Sequence, residues 1–250
     1  MGVRRRRDLA ASGDLSQWFR RGAPDLSLED ALRERDLLAP FLSETRLRRM
    51  DEVLAARTDR LLLVLDNLYD PHNLSAILRT AEGFGLQHVL LTGNVPEGIN
   101  PQVVRGAQRW LTIRREADPR VALPALKTAG FTVAATVLAE GALSPRDFIP
   151  QGPVALVMGN EHEGLGSVWV EGADIHLKIP MPGFIQSLNV SVAAGVFLFE
   201  LLQKPALASR GLPEDEGRGL SASWVRRSVP HAAKILERVG GDGAGRPGRR

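Results

Sequence analysis

Polar side chains that could take part in chemistry follow three apolar runs of the sequence. Asn73 and Arg79 follow the first run, Glu161 follows the second, and Ser187 and Asn189 follow the third. A cation in the early half of a short helix opposes the helix dipole, so a phosphate or carboxylate partner is expected for Arg79. For Asn73, capping of a helix N-terminus is a complete structural explanation, and a role in a site is the alternative.

The third segment leads into a long apolar helix that is predicted to begin at about Gln186. Two prolines and a glycine in residues 180–183 predict a rigid loop before this helix. Ser187, Asn189 and Ser191 crowd its first turn together with Gln186, although one capping side chain suffices, so some of them have another task. The helix is apolar on nearly every face, and it is expected to lie inside a domain or against a partner subunit.

The second segment, residues 159–166, is rich in glycine and contains Glu161, His162 and Glu163. It matches neither a phosphate-binding P-loop nor the dinucleotide fingerprint. Metal binding is not expected there, because adjacent side chains diverge and no second histidine follows at helical spacing. Glycines directly after a strand instead favour close approach of the backbone to a flat ligand such as adenine.

The apolar runs before these segments are predicted to be strands of a parallel sheet. Residues 61–65 form a continuous apolar run, which is typical of a strand buried on both faces. Further strands are predicted at 88–91, 131–136, 154–158 and 174–179, with helices at 74–84, 118–129 and 165–171 and a loop-rich stretch at 92–110. Alternating strands and helices predict an α/β domain with a mainly parallel sheet and helices on both faces. Ligands of such domains bind at the carboxyl ends of the strands, where all three segments lie.

The composition changes along the chain and predicts three regions. They are a flexible basic tail over 1–27, an α/β domain with an N-terminal helical extension over 28–203, and a linker, helix and basic tail over 204–250. In the last region, residues 204–223 are rich in proline, glycine and charge and are predicted to be the linker. Residues 224–239 have an amphipathic pattern and are predicted to form one helix that Pro230 weakens.

The chain of 250 residues contains no cysteine, which excludes disulfides, thiolate metal sites and cysteine nucleophiles. No run approaches the ~18 apolar residues of a membrane span, and the N-terminus lacks the apolar core of a signal peptide. A cytoplasmic protein without a membrane anchor is therefore expected.

Arginine residues are concentrated in groups, although the net charge is only +3. The groups lie at 4–7, 46–49, 105–115 and 246–250. Arginine suits bidentate contacts with phosphate, which favours a nucleic-acid partner. The alternative is that high-GC coding favours arginine and that the terminal runs are solvated tails.

Taken together, the three segments resemble the signature motifs of the SpoU/TrmH family of AdoMet-dependent RNA ribose 2′-O-methyltransferases. Residues 66–81 resemble motif 1, residues 157–164 motif 2, and residues 179–194 motif 3. Their order and spacing agree with the family, and the resemblance covers about residues 45–203. The string that begins at Pro71 and the one that begins at Gln186 are most similar to the tRNA (guanosine-2′-O)-methyltransferase branch, TrmH.

This resemblance implies a SPOUT fold with a C-terminal trefoil knot, a homodimer, and S-adenosyl-L-methionine (AdoMet) as methyl donor. The residues that would hold AdoMet are Thr136, Gly159, Ile179, Met181 and Leu188. The residues that would line the reaction centre are Asn73, Arg79, Glu161, Ser187 and Asn189. Methyl transfer from a sulfonium to an aligned ribose hydroxyl needs no metal. Arg79 would act either as the base or as a clamp on the target phosphate.

The expected substrate is tRNA, with a D-loop guanosine as the target. The alternatives are the same chemistry on rRNA and a catalytically silent RNA-binding protein. The chain lacks room before residue 45 for the RNA-binding domain of the rRNA-modifying branch, which favours tRNA. The loop at 105–110 differs from that of many relatives, so the choice of RNA could differ. All three motifs retain their polar residues, which argues against a silent protein.

Overall fold

The computed structural model describes residues 26–94, 106–160, 163–208 and 210–242. These residues form two compact units. One unit lies within residues 57–210, and the other combines residues 26–56 with residues 211–242. The predicted flexible tail up to residue 25 and the basic tail after residue 242 lie outside the described residues.

The first unit is built on a sheet of six parallel strands in the order β3-β2-β1-β5-β4-β6. The strands are β1 (Leu61–Asp66), β2 (His88–Thr92), β3 (Thr112–Glu116), β4 (Thr132–Thr136), β5 (Val154–Met158) and β6 (Ile175–Leu177). In the centre, Leu63 of β1 lies opposite Val89 of β2 and Leu156 of β5. Every residue of β1 is buried, as expected for an apolar strand covered on both faces.

The helices of both units are α1 (Leu28–Leu38), α2 (Glu44–Ala55), α3 (Pro71–Gly83), α4 (Pro119–Thr128), α5 (Ser167–Gly172), α6 (Val190–Leu202), α7 (Pro205–Ala208), α8 (Glu214–Ser228) and α9 (Ala232–Asp242). Two 3-10 turns lie at Ala39–Phe41 and Ala107–Arg109. Helices α3 and α6 pack on the sheet face that carries Leu61, Leu63 and Leu65, and α4 and α5 pack on the face that carries Leu62 and Val64. The predicted α/β class with helices on both faces is therefore confirmed.

Strand β3 lies at the sheet edge, and the sequence pattern did not predict it. Only five strands were expected. The sixth, β3, was missed because Arg114, Arg115 and Glu116 interrupt the apolar pattern that indicates a strand. An edge strand pairs on one side only and tolerates charged side chains, which also protect the free edge from pairing with another chain. The strand pairs with β2 in register, so its charges are compatible with the sheet.

The segment between β4 and β5 passes around the outer edge of β6. Strand β6 pairs with β4 on one side, and on its other side the backbone of Leu143 bonds to both His176 and Lys178, at 2.9 and 2.8 Å. Both ends of this segment, residues 137–153, return to strands on the inner side of β6. Strand β6 is therefore flanked by β4 on one side and by the 137–153 segment on the other.

Helix α3 is anchored at its C-terminal end by a buried arginine. The Arg57 guanidinium is fully buried and donates to the Leu86 carbonyl at 2.7 Å and to the Glu82 carboxylate at 2.8 Å. Burial lowers the pKa of Arg57, and Glu82 opposes that change by stabilising the cation. This contact fixes the helix that carries Asn73 and Arg79.

The second unit is helical. Helix α1 packs against α8, where Arg35 Nε donates to Ser221 Oγ at 2.9 Å and Arg226 pairs with Glu34. Ser27 caps α1 by accepting from the Asp30 backbone N–H at 3.1 Å. These contacts group the two N-terminal helices with the C-terminal helices.

Two predictions for the C-terminal region are wrong. Residues 214–228, largely predicted to be linker, form α8, because Leu220 and Trp224 become buried and the packing overrides the low helix propensity of Gly217 and Gly219. The single helix expected over 224–239 is divided at Pro230, which lacks the N–H needed to continue it. Val229 takes an extended conformation and His231 has a φ of 57°, so α8 ends and α9 begins anew.

Among the residues that the structure describes, no helix is long and apolar enough to cross a membrane.

Candidate active site

A cavity of about 780 Å³ opens at the carboxyl ends of β4, β5 and β6. Its walls come from the segments that follow these three strands and from one face of α6. The lining side chains include the apolar Leu138, Leu165, Leu177, Leu188 and Phe197 and the polar Asn160, Glu163, Lys178, Gln186, Ser187 and Asn189. A mostly apolar concave site with a few convergent polar groups has the usual make-up of a small-molecule site.

The five residues predicted to hold a cofactor all line this cavity. Thr136 ends β4, Gly159 follows β5, and Ile179, Met181 and Leu188 belong to the segment between β6 and α6. Three loops that are distant in sequence thus meet because their strands are parallel neighbours.

The residues predicted to line the reaction centre are brought together only in part. Ser187 and Asn189 line the cavity. Asn73 reaches it indirectly, because its Oδ1 accepts a hydrogen bond from Asn189 Nδ2 at 3.1 Å. Arg79 is exposed, is not among the lining residues, and has no ion pair with any described residue. Glu161 lies outside the described residues.

Helix α6 begins at Val190, four residues later than predicted. Asn189 is its N-cap, and its Oδ1 accepts from the backbone N–H of Ser191 at 2.9 Å and from Ser191 Oγ at 2.6 Å. The preceding residues are not helical, which leaves Gln186 and Ser187 in the cavity wall. The excess of polar residues in this stretch thus has a structural explanation: Asn189 caps the helix, Ser191 bonds to that cap, and Gln186 and Ser187 face the cavity.

Asn73 does not cap α3. Asp70 is the N-cap, since its Oδ1 accepts from the His72 backbone N–H at 2.8 Å, and Pro71 occupies the first turn, where no N–H is needed. Asn73 lies within that first turn, where its side chain faces Asn189. The capping explanation for Asn73 is therefore wrong, and the remaining alternative is a role in the site.

The loop after β5 is held by Asn160, which sequence reasoning did not select. Its side chain is buried, and its Oδ1 accepts from the Glu163 backbone N–H at 2.8 Å, while its carbonyl accepts from the Gly164 N–H at 3.2 Å. Asparagine, which readily bonds to backbone two or three residues on, was the available signal. Glu163 and Lys178 were also missed, and the sequence alone offered no sign that they share a cavity.

Gly159 is required by the loop itself. A Cβ at this position would lie 2.2 Å from the Gly164 carbonyl oxygen and 2.6 Å from the Leu165 nitrogen. The glycine was expected to allow a flat ligand to approach the backbone, and the closest approach is instead by the other end of the same loop. The cavity wall therefore depends on close contact between two backbone segments.

The lining fits AdoMet. Apolar side chains such as Leu138, Leu165 and Leu188 can cover an adenine ring, and Lys178 and Glu163 can pair with the carboxylate and ammonium of an amino-acid moiety. A volume of about 780 Å³ lies within the usual range for ligands of this size. Among the described residues, no group of three acidic, histidine or cysteine side chains is placed to hold a metal ion.

Comparisons with known proteins agree with the motifs. A model of the SpoU rRNA Methylase family matches residues 60–199. The chain is 44% identical over 192 residues to the tRNA (guanosine(18)-2′-O)-methyltransferase of Thermus thermophilus, which corresponds to 74% of this chain and 98% of the relative. It also resembles the crystal structure of the A. aeolicus TrmH/SpoU tRNA modifying enzyme, with a TM-score of 0.68 and 34% identity over 75% of this chain and 98% of that one.

A further solved structure resembles part of the chain. It is the SpoU methyltransferase AviRb from Streptomyces viridochromogenes in complex with the cofactor AdoMet, with a TM-score of 0.53 and 28% identity over 61% of this chain and 60% of that one. The family model spans more than half of the chain and includes all three motifs. The chain therefore belongs to the SpoU rRNA methylase family.

Proposed function

We propose that the protein is a tRNA (guanosine-2′-O)-methyltransferase that transfers the methyl group of AdoMet to the ribose 2′-hydroxyl of a D-loop guanosine. The observation that carries this proposal is that the three motifs meet at one cavity. Gly159 and Met181 line it, Asn189 lines it as well, and Asn73 is hydrogen bonded to Asn189. The names of relatives such as the Thermus thermophilus enzyme support tRNA as the substrate. The proposal includes a cytoplasmic location, where such a substrate is available.

In this proposal, Asn189 and Ser187 orient the ribose hydroxyl. Bound AdoMet supplies an electrophilic methyl group on a sulfonium sulfur, and the hydroxyl must lie in line behind it. The Asn189 amide is fixed at both ends, because its oxygen accepts from Ser191 and one of its N–H groups donates to Asn73. An amide nitrogen carries two hydrogens, so a second N–H is left to bind the substrate. Glu161 lies outside the described residues, and its place in the reaction centre stays a prediction.

We also propose that the loop around β6 is the predicted trefoil knot. The support is that Leu143 bonds to the outer edge of β6 while both ends of the 137–153 segment return to the inner strands. The cavity lies against this crossing, since residues 136–139 and residues 177–179 both line it. A crossing of this kind would give the cofactor walls that cannot separate easily.

A homodimer is proposed from the exposed face of α6. Val192 and Phe199 are 53% and 54% exposed, and they lie seven residues apart on one face with Gly195 and Val196 between them. Such an apolar stripe is suited to packing against another helix, and a second copy of this chain carries the same stripe. The Phe84 ring lies 6.5 Å from the Phe199 ring, and a Cβ at Gly195 would come within 3.9 Å of Thr80, the sequence neighbour of Arg79.

The dimer would explain why Arg79 is outside the cavity of its own chain. Residues 73 and 79 are about 9 Å apart along a helix axis and point in different directions, so both cannot face Asn189 equally. Because Arg79 neighbours the apolar stripe, a second subunit that covers the stripe would receive Arg79 near its own cavity. We propose that Arg79 acts on the partner subunit's site as a phosphate clamp.

The test of the function is transfer of a labelled methyl group from AdoMet to unmodified tRNA, without added metal. The expected result is one methyl group per tRNA, mapped to the ribose of a D-loop guanosine, and no transfer to tRNA that already carries it. Unmodified rRNA is the parallel substrate. Transfer to rRNA alone would replace the tRNA proposal, and absence of transfer to both would refute the enzyme.

Gly159→Ala is expected to weaken AdoMet binding by at least about tenfold, because the new Cβ would push the Gly164 backbone out of the cavity wall. The measurement is the AdoMet dissociation constant by calorimetry. Gly152→Ala is the matched control, since a Cβ at Gly152 would meet no atom within 4 Å. Equal affinities of the two variants would show that the loop adapts and does not define the site.

A further inference from the structure

Two exposed aromatic side chains lie in the loops that lead to the hydrogen-bonded pair Asn73 and Asn189. Tyr69 lies in the loop before α3, four residues before Asn73, and Phe184 lies in the loop that leads to Asn189. Phe184 is fully exposed, and Tyr69 is 47% exposed. An exposed aromatic ring in a loop that leads to a candidate site is available to stack on a ligand bound there.

Phe184 lies in a loop whose two ends face the cavity. Met181 on one side and Gln186 on the other line the cavity, whereas the residues between them do not. A Cβ at Gly183 would meet no atom within 4 Å, and Ile185 is also exposed, so the tip projects away from the described protein. The ring therefore lies outside the cavity, in a loop whose two ends line it.

We infer that Phe184 and Tyr69 form the two aromatic walls that hold the base of the target nucleotide. This inference rests on the proposed function, because a ribose whose hydroxyl reaches Asn189 carries its base beside the mouth of the same cavity. The base must leave the folded RNA to reach that position, and proteins commonly receive extruded RNA bases on aromatic rings. The hydrogen bond between Asn73 and Asn189 ties the two ring-bearing loops together, so both walls move with the reaction centre.

The walls position a base without identifying it. Every base has a π face, so stacking is tolerant of sequence, and neither ring offers the paired donors and acceptors that recognise a guanine edge. Choice of the nucleotide must then come from contacts elsewhere on the RNA. The rings would supply the free energy that keeps the extruded nucleotide in place.

The experiment compares Phe184→Ala, Tyr69→Ala and Phe184→Trp with the wild-type protein and with the control Ile149→Ala, which removes an exposed apolar side chain away from the cavity. Single-turnover methyl transfer to tRNA and tRNA affinity are measured, together with AdoMet affinity and oligomeric state. Fluorescence of 2-aminopurine placed at the methylated position reports stacking directly. Each alanine variant is expected to weaken tRNA binding in the reactive state by about 5- to 150-fold and to lose the quenching of 2-aminopurine, whereas Phe184→Trp retains both.

Three results would overturn the inference. Unchanged transfer and quenching in the alanine variants would remove the rings from base binding. A change of oligomeric state in Phe184→Ala, with quenching intact, would assign Phe184 to the subunit interface instead. Absence of methyl transfer by the wild-type protein would refute the proposed function, and the inference with it, whereas an active wild type with unaffected variants refutes the inference alone.

Discussion

Arg79→Ala is expected to lower the single-turnover rate of methyl transfer by about 100- to 1000-fold, because a preorganised cationic donor stabilises charge that develops in the transition state. AdoMet affinity should stay unchanged, since Arg79 is not part of the cavity wall. Arg120→Ala is the matched control, as Arg120 is an exposed arginine on α4, on the opposite face of the sheet. A rate within a factor of a few of wild type would remove Arg79 from the reaction.

Arg79→Lys separates the two roles of the side chain. A phosphate clamp needs a positive charge, so the lysine variant should retain more activity than the alanine variant and keep the wild-type pH dependence. A lysine amine loses its proton at lower pH than a guanidinium, so a base at this position would shift the pH–rate profile toward lower pH. A lysine variant as inactive as alanine would show that bidentate geometry is required.

Subunit exchange between two inactive variants is expected to restore methyl transfer. Arg79→Ala and Asn189→Ala are each expected to be nearly inactive, and a mixture of the two that exchanges subunits should regain a substantial fraction of the wild-type rate. In a mixed dimer, one cavity has an intact Asn189 and receives the intact Arg79 of the other subunit. The measurement is methyl transfer after the two variants are unfolded together and refolded.

The control for this experiment is the same mixture without subunit exchange, which should remain inactive. If Arg79 acts on the cavity of its own chain, each site in the mixed dimer lacks one residue and no activity returns. A monomeric wild-type protein, measured by light scattering, would contradict the proposed dimer as well as the shared site.

The sheet could be predicted where strands are apolar and central, as at β1 and β5. It could not be predicted at β3. An edge strand tolerates charged side chains, so the arginines of β3 give this segment the sequence pattern of a loop. The same limit applies to α8, whose glycines resemble a linker until Leu220 and Trp224 are seen to be buried. Propensity describes local preference, and in both segments a tertiary contact decides the outcome.

The site could be predicted in composition and not in arrangement. The motifs identified Asn73 and Asn189, but their hydrogen bond at 3.1 Å joins residues 116 positions apart, which no local pattern encodes. Asn160 was missed because it sits between two more conspicuous neighbours, Gly159 and Glu161. The position of Arg79 outside the cavity could not be predicted either, because it depends on how α3 is rotated about its own axis.

The passage of residues 137–153 around β6 also affects how the native state is reached and lost. In the knot proposed above, the chain after Leu177 crosses that segment before β6 pairs with both β4 and Leu143, and this ordering of events would slow assembly without changing the final contacts. Loss of the native state requires the same crossing in reverse. The proposed knot would therefore make the lifetime of the cofactor cavity depend on the rate at which the chain withdraws from the loop, and not on the equilibrium free energy of unfolding alone.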